Sequence, residues 1–182
     1  MASKKPTLVI AADPGTGISS PTGFAVFEPE TKEIHYLANI GTKRKALQHR
    51  LRDIADVFSN TIEDIDREFK DHTILVCIEY FVMRGKGGET LQRLIGALMS
   101  RLPYHFELMH IQNSKVKLML AGHGHADKSL VALGVLEYFR ENNVSEAYIK
   151  DLTLRKESDI LDALAIGVAG WQIHQDEQVK NK

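Results

Sequence analysis

The stretch that decides the fold is LVIAADPG, residues 8–15, in which an apolar run ends in an acid and a turn follows at once. A short apolar run bounded by turn residues is typical of a buried strand. Pro14 and Gly15 cannot continue that strand. Asp13 therefore marks the strand tip, where an unpaired buried charge would be costly to desolvate. A shared cation is the natural partner for such a carboxylate.

Three further carboxylates occupy comparable positions. Glu79 ends a second apolar run, residues 74–78. Asp159 and Asp162 lie three residues apart at the start of a helix-like stretch, so both point to one face. Asp162 interrupts an otherwise apolar stretch, whereas Asp159 is explained almost as well by its interaction with the helix dipole. Together these acids, called the four carboxylates below, suit a divalent-metal nuclease.

Hydrophobic spacing predicts five strands and five helices. After the first strand, further strands are expected over residues 23–27, 34–40, 73–80 and 105–111. Apolar residues recur every three or four positions over 43–70, which is typical of an amphipathic helix. Shorter helices are expected over 89–101, 115–120, 130–139 and 157–173, the last with Ser158 as its N-cap.

The order of these elements predicts an α/β fold. Three successive strands indicate an antiparallel meander, and the helix-linked strands that follow indicate a five-stranded mixed sheet flanked by helices. In such a sheet the first and fourth strands can be neighbours. We then expect Asp13 and Glu79 to face each other where α/β sheets collect ligands.

Length and composition predict a single domain over residues 1–182, with flexible ends at 1–6 and 175–182. No segment is long and apolar enough to span a bilayer, and no signal core precedes the first strand, so a cytoplasmic protein without a membrane partner is expected. The net charge of −1 argues against binding nucleic acid by bulk charge alone, although local basic groups such as residues 43–52 remain. Cys77 is expected to be a packed core thiol.

Four blocks of the sequence, in order, resemble those of the RuvC-type Holliday junction resolvases, which have a ribonuclease H-like fold. The first is DPG at 13–15 with Gly23 in the next strand, and the second is IE at 78–79 followed by an aromatic and Met segment. The third joins Lys117 to Lys128 through a Gly-rich loop. The fourth is DILDALA at 159–165. Any one block would be weak evidence, but four in the right order cover most of the chain.

The resemblance implies a structure-selective endodeoxyribonuclease of DNA recombination and repair that cuts four-way junctions by hydrolysis. It implies two Mg²⁺ ions per site, with Mn²⁺ able to substitute, and a homodimer. The implied metal ligands and catalytic acids are the four carboxylates, with Lys128 as a further catalytic residue near the scissile phosphate. The implied phosphate contacts are Lys117 and Lys128. Phe81 could stack on bases at the junction or could be a core or dimer aromatic, and Arg84 and Lys86, from a local basic group, are further candidate DNA contacts.

Other functions remain open on sequence grounds. One is another ribonuclease H-like nuclease acting on branched DNA or on RNA. A second is an actin-like phosphotransferase, suggested by DPGTG at 13–17, although those proteins are much longer. A third is a non-catalytic junction-binding protein, against which the retention of all four carboxylates argues. His123 and His125 could be metal ligands, phosphate contacts or plain surface histidines.

Overall fold

The computed structural model describes residues 5–17, 20–80, 86–155 and 157–180. In chain order, this part of the chain forms the elements β1 (Thr7–Asp13), β2 (Thr22–Glu28), β3 (Glu33–Ile40), α1 (Leu47–Glu68), β4 (Thr73–Tyr80), α2 (Lys86–Met99), β5 (Glu107–Gln112), α3 (Asn113–Ala121), α4 (Lys128–Phe139), α5 (Asn143–Arg155) and α6 (Ser158–Lys180).

The strands form one mixed sheet in the order β3-β2-β1-β4-β5. The pairs β1/β2 and β2/β3 are antiparallel, and β4 runs parallel to both β1 and β5. This confirms the predicted fold class, including the meander and the adjacency of the first and fourth strands. Since β1 and β4 both finish at one end of the sheet, we call it the Asp13 end and the opposite one the far end.

Alternation along the strands divides the interior into two cores. Leu8, Ile10 and Ala12 of β1 pack toward α1 and α2, whereas Val9 and Ala11 pack toward α6. Successive strand residues point to opposite faces. Asp13 and, by the same parity in β4, Glu79 therefore belong to the face that α6 covers.

Helix α6 lies unusually close to the sheet because glycines occupy the contact points. A Cβ on Gly23 of β2 would stand 1.9 Å from the carbonyl oxygen of Asp159, and one on Gly170 would stand 2.4 Å from Sγ of Cys77. Residues 163–170 are all buried, with β1 and β2 on one side and α3 and α4 on the other. The sheet thus fixes where the start of α6 lies.

Several predicted boundaries were wrong. Helix α1 begins at Leu47 and ends at Glu68, so the basic residues 43–45 precede it and do not lie on its solvent face. Helix α5 was not predicted at all, and α6 continues to Lys180, well past residue 173. Ser158 is the first helical residue of α6, so the predicted N-cap is displaced by one position.

Cys77 is fully buried in β4, as predicted, and burial raises the pKa of its thiol. Within the described ranges, no helix combines the length and the apolar character needed to cross a membrane.

The close packing of α6 predicts that Gly23→Ala is strongly destabilising. The new Cβ would overlap a backbone oxygen that cannot move without shifting α6, so we expect a loss of about 2–4 kcal/mol in the free energy of unfolding. Urea denaturation measures it. The matched control is Gly96→Ala, at an exposed position of α2 where a Cβ meets nothing within 4 Å. It should be neutral or stabilising by up to about 1 kcal/mol, and equal effects of the two changes would contradict the packing argument.

Candidate active site

The four carboxylates converge on one open cavity of about 320 Å³ at the Asp13 end of the sheet. Two come from the strand tips and two from the first turns of α6. The cavity is lined by Asp13, Pro14, Gly15, Ser20, Glu79, Asn113, Val116, Lys117, Lys128, Val131, Asp159, Asp162, Ala165 and Ile166. All five predicted catalytic residues and Lys117 are therefore brought together.

The turn after β1 is fixed by a reciprocal pair of hydrogen bonds. The Gly15 amide donates to Oγ1 of Thr22 at 3.2 Å, and that hydroxyl donates to the Gly15 carbonyl oxygen at 3.0 Å. A Cβ on Gly15 would stand within 2.4 Å of the carbonyl oxygens of Ser20 and Pro21. The chain therefore doubles back immediately after Asp13, leaving its carboxylate at the cavity wall.

Mutual repulsion among the acids is visible at Asp13. Its pKa is raised to about 8, first because the carboxyl is largely removed from water and then because of the charge of Glu79 and a hydrogen bond with its side chain. The charges of Asp162 and Asp159 add to this. The pKa of Asp159 is raised as well, by burial and then by Asp162. Without a cation, a site of this composition holds a proton near neutral pH.

Lys128 supplies positive charge to the cavity. It is the first residue of α4, where the side chain of Asp127 accepts from the Leu130 amide at 3.0 Å and caps the helix. Its Nζ lies 2.5 Å from Oδ2 of Asp162, and this hydrogen bond raises the pKa of the ammonium group. Lys128 is therefore charged throughout the physiological range, with most of its side chain still exposed.

Sequence reasoning missed Asn113, the first residue of α3. Its Nδ2 donates to Oε1 of Glu79 at 3.0 Å, across 34 positions of the chain. The register explains the meeting, because Glu79 lies opposite Ile111 and β5 passes into α3 two residues later. A polar residue just after the fifth strand, at the same end as Asp13, was the available indication. Asn113 therefore orients the Glu79 carboxylate, which also shares a hydrogen bond with Asp13.

Solved structures that share this arrangement of strands and helices include two of a RuvC protein and one of a Holliday junction resolvase. Thermus thermophilus RuvC matches with a TM-score of 0.58 and 20% identity, over 89% of this chain and 92% of that one. The T. thermophilus RuvC complex with a Holliday junction substrate matches with a TM-score of 0.59 and 19% identity, over 89% of this chain and 91% of that one. The chain has the RuvC fold. Yeast mitochondrial Holliday junction resolvase Ydc2 matches with a TM-score of 0.57 and 15% identity, over 93% of this chain and 80% of that one. Neither a family model nor a curated protein matches the sequence.

Some predicted DNA contacts of this RuvC-like chain cannot be placed. Phe81 and Arg84 lie outside the described residues, as does the side chain of Lys86 at the start of α2. His123 and His125 are exposed in the loop between α3 and α4.

Within the described ranges, no group of three or more His, Cys, Asp or Glu side chains is positioned to share one metal ion.

The raised pKa of Asp13 predicts a pH-dependent stability. Between an unfolded value of 3.8 and a folded value of about 8, the native state binds the extra proton. Its contribution to stability is therefore present at low pH and is lost as the pH rises toward 8. In EDTA, urea denaturation between about pH 5 and pH 8.5 should show a smaller decline for Asp13→Asn than for the parent protein. Asp176→Asn, at an exposed position of α6, should keep the parental decline; an unchanged decline in Asp13→Asn would refute the assignment.

Proposed function

We propose that this protein is a divalent-metal-dependent endonuclease that resolves four-way DNA junctions by paired phosphodiester hydrolysis. The observation that carries the proposal is the convergence of the four carboxylates and two lysines on one cavity in a chain with the RuvC fold. One of the matched structures is a RuvC bound to a Holliday junction, which supports branched DNA as the substrate class.

The donor set at the cavity suits Mg²⁺. This ion takes hard oxygen ligands and retains several waters, so it does not need a closed cage of protein groups. The raised pKa of Asp13, caused first by burial and then by the neighbouring acids, supports this proposal, because a cation among the acids would offset both costs of ionising that carboxyl. We assign the four carboxylates as the ligands of two Mg²⁺ ions, with Mn²⁺ as a substitute. When bound, the ions supply an activated water and stabilise charge on the entering and leaving oxygens.

The protein's own groups complete the chemistry. Lys128 holds a permanent positive charge at the cavity, where it would stabilise the negative charge that develops on the scissile phosphate. Lys117, at the same cavity wall, is the second phosphate contact. Asn113 holds Glu79 in place, which reduces the freedom that the side chain must lose when it binds a cation.

We further propose that the active species is a homodimer. A four-way junction offers two symmetry-related strands to cut, and the described residues of this chain form one carboxylate cavity. Two copies related by a two-fold axis would present two such sites. Light scattering of the protein with and without a junction tests the stoichiometry, and a single bound copy making both cuts would exclude the dimer.

The central prediction concerns Asp13→Asn. We expect this change to lower the rate of junction cleavage in Mg²⁺ by at least about 10³-fold, because it removes one charge at the centre of the site while keeping its shape. Junction affinity measured in EDTA should be retained. Asp176→Asn is the control and should cleave normally.

The parent protein is also tested on labelled four-way junction, flap and linear duplex. Equal cutting of linear duplex and junction would refute resolvase activity, and cutting in EDTA would refute the metal requirement.

A second prediction concerns Asn113→Ala. Losing the bond to Glu79 should weaken Mg²⁺ binding by about tenfold, in the range typical of groups that orient metal ligands. Calorimetric titration without DNA measures the affinity independently of activity. Ser114→Ala, at the exposed neighbouring position, is the control. Equal Mg²⁺ affinity in Asn113→Ala and the parent protein would show that Asn113 does not position Glu79.

A further inference from the structure

The segment between β3 and α1 carries three consecutive exposed cationic side chains, Lys43, Arg44 and Lys45, which we call the basic rim. No acid occurs between residues 43 and 52. Arg44 is partly engaged, with Nε 3.5 Å from Oδ2 of Asp53. Among the residues that the structure describes, neither Lys43 nor Lys45 forms an ion pair. The two lysines are therefore available to an anionic partner.

Arg50 ties the basic rim to the active-site turn. Its Nε donates to the carbonyl oxygen of Thr16 at 3.0 Å, and its Nη1 donates to the carbonyl oxygens of Lys45 at 2.6 Å and Arg44 at 3.3 Å. One guanidinium thus joins the rim to Thr16, the residue that follows Gly15 in the active-site turn. Gly15 itself lines the cavity. The rim has a defined position beside the four carboxylates because its own backbone is held.

The charge of α1 changes sign along its length. The helix starts beside the basic rim, at the Asp13 end, and finishes at the far end before β4 begins. Its last turns, residues 63–68, contain Glu63, Asp64, Asp66 and Glu68 against one arginine, Arg67. If these cations served only to keep the protein soluble, the basic and acidic residues would not need to lie at opposite ends of the sheet. The separation places positive charge at the end where the proposed substrate binds and negative charge away from it.

The basic rim also lies at a useful distance from the cavity. Strand β3 is two positions from β1, so its end is about 10 Å from the tip of β1 at the usual strand spacing. A strand of duplex DNA rises about 3.4 Å per nucleotide along the helix axis, and neighbouring phosphates lie farther apart than this because the strand winds around the axis. The rim would therefore reach a backbone phosphate within about three nucleotides of one bound at Asp13. Lys117 lies on α3, which follows β5 directly, so cations would stand on both the β3 side and the β5 side of the acids.

We propose that the basic rim binds the phosphate backbone of a duplex arm within about three nucleotides of the scissile phosphate. The inference rests on the proposed function, because it takes the cavity as the place where a DNA phosphate is cut. Its physical role is to compensate the repulsion between the four carboxylates and the substrate's own charge, on the β3 side of the cavity.

The test compares two charge-matched double variants in the full-length chain. Lys43→Gln with Lys45→Gln removes two rim cations, and Arg67→Gln with Lys70→Gln removes two exposed cations at the far end of the sheet. Affinity for a labelled four-way junction is measured in EDTA across a salt series. The rim variant should bind about tenfold more weakly, and its slope of log affinity against log salt should fall by about two. The far-end variant should keep the parental slope, and Lys43→Arg with Lys45→Arg should restore it.

Junctions with a single uncharged methylphosphonate at the first, second or third nucleotide from the cut locate the contact. One of these substitutions should weaken binding by the parent protein and have little effect on the rim variant. If the parent cuts junctions in Mg²⁺ but the rim variant keeps the parental slope and affinity, the rim proposal is wrong and the proposed function stands. If the parent neither binds nor cuts junctions, both proposals fail.

Discussion

The structure depends on the close contact between α6 and the sheet. Asp159 and Asp162 can join Asp13 only if the first turns of α6 reach the tip of β1, and the contact leaves no room for a side chain at Gly23. Further along, Gly167 and Gly170 allow the same helix to lie against Ala11 and Cys77. The interior packing thus fixes the spacing of the acids at the surface. A site built on a strand and a helix in such contact is held rigidly.

The same contact brings several carboxylates close together, and other side chains of the site partly compensate their negative charge. The pKa values of Asp13 and Asp159 are raised, first by burial and then by the charges of the neighbouring acids. Lys128 forms an ion pair with Asp162, and the side-chain amide of Asn113 donates a hydrogen bond to Glu79. These contacts compensate charge without closing the cavity. Such a site is compatible with both the cations and the anionic substrate proposed for it.

Much of this arrangement could be predicted from the sequence because it follows from local rules. An apolar run ending in an acid places Asp13 and Glu79 at strand tips, and a three-residue spacing places Asp159 and Asp162 on one face of a helix. Helix α5 was missed because its apolar residues do not form one stripe: Val144 and Leu154 are more than 80% exposed. The extension of α6 was missed because its last turns are polar. Asn113 and Arg50 act through contacts across 34 positions in each case, for which the sequence carries no local pattern.

The opposite charges at the two ends of α1 would also affect how the protein meets the DNA substrate proposed for it. A molecule with net charge close to zero feels little overall force from DNA, but separated charges experience a torque in the field of a polyanion. The protein would therefore rotate its Asp13 end toward the DNA before any contact forms, raising the fraction of collisions that are productive. Such steering acts on the association rate and weakens as added salt shortens the range of the field.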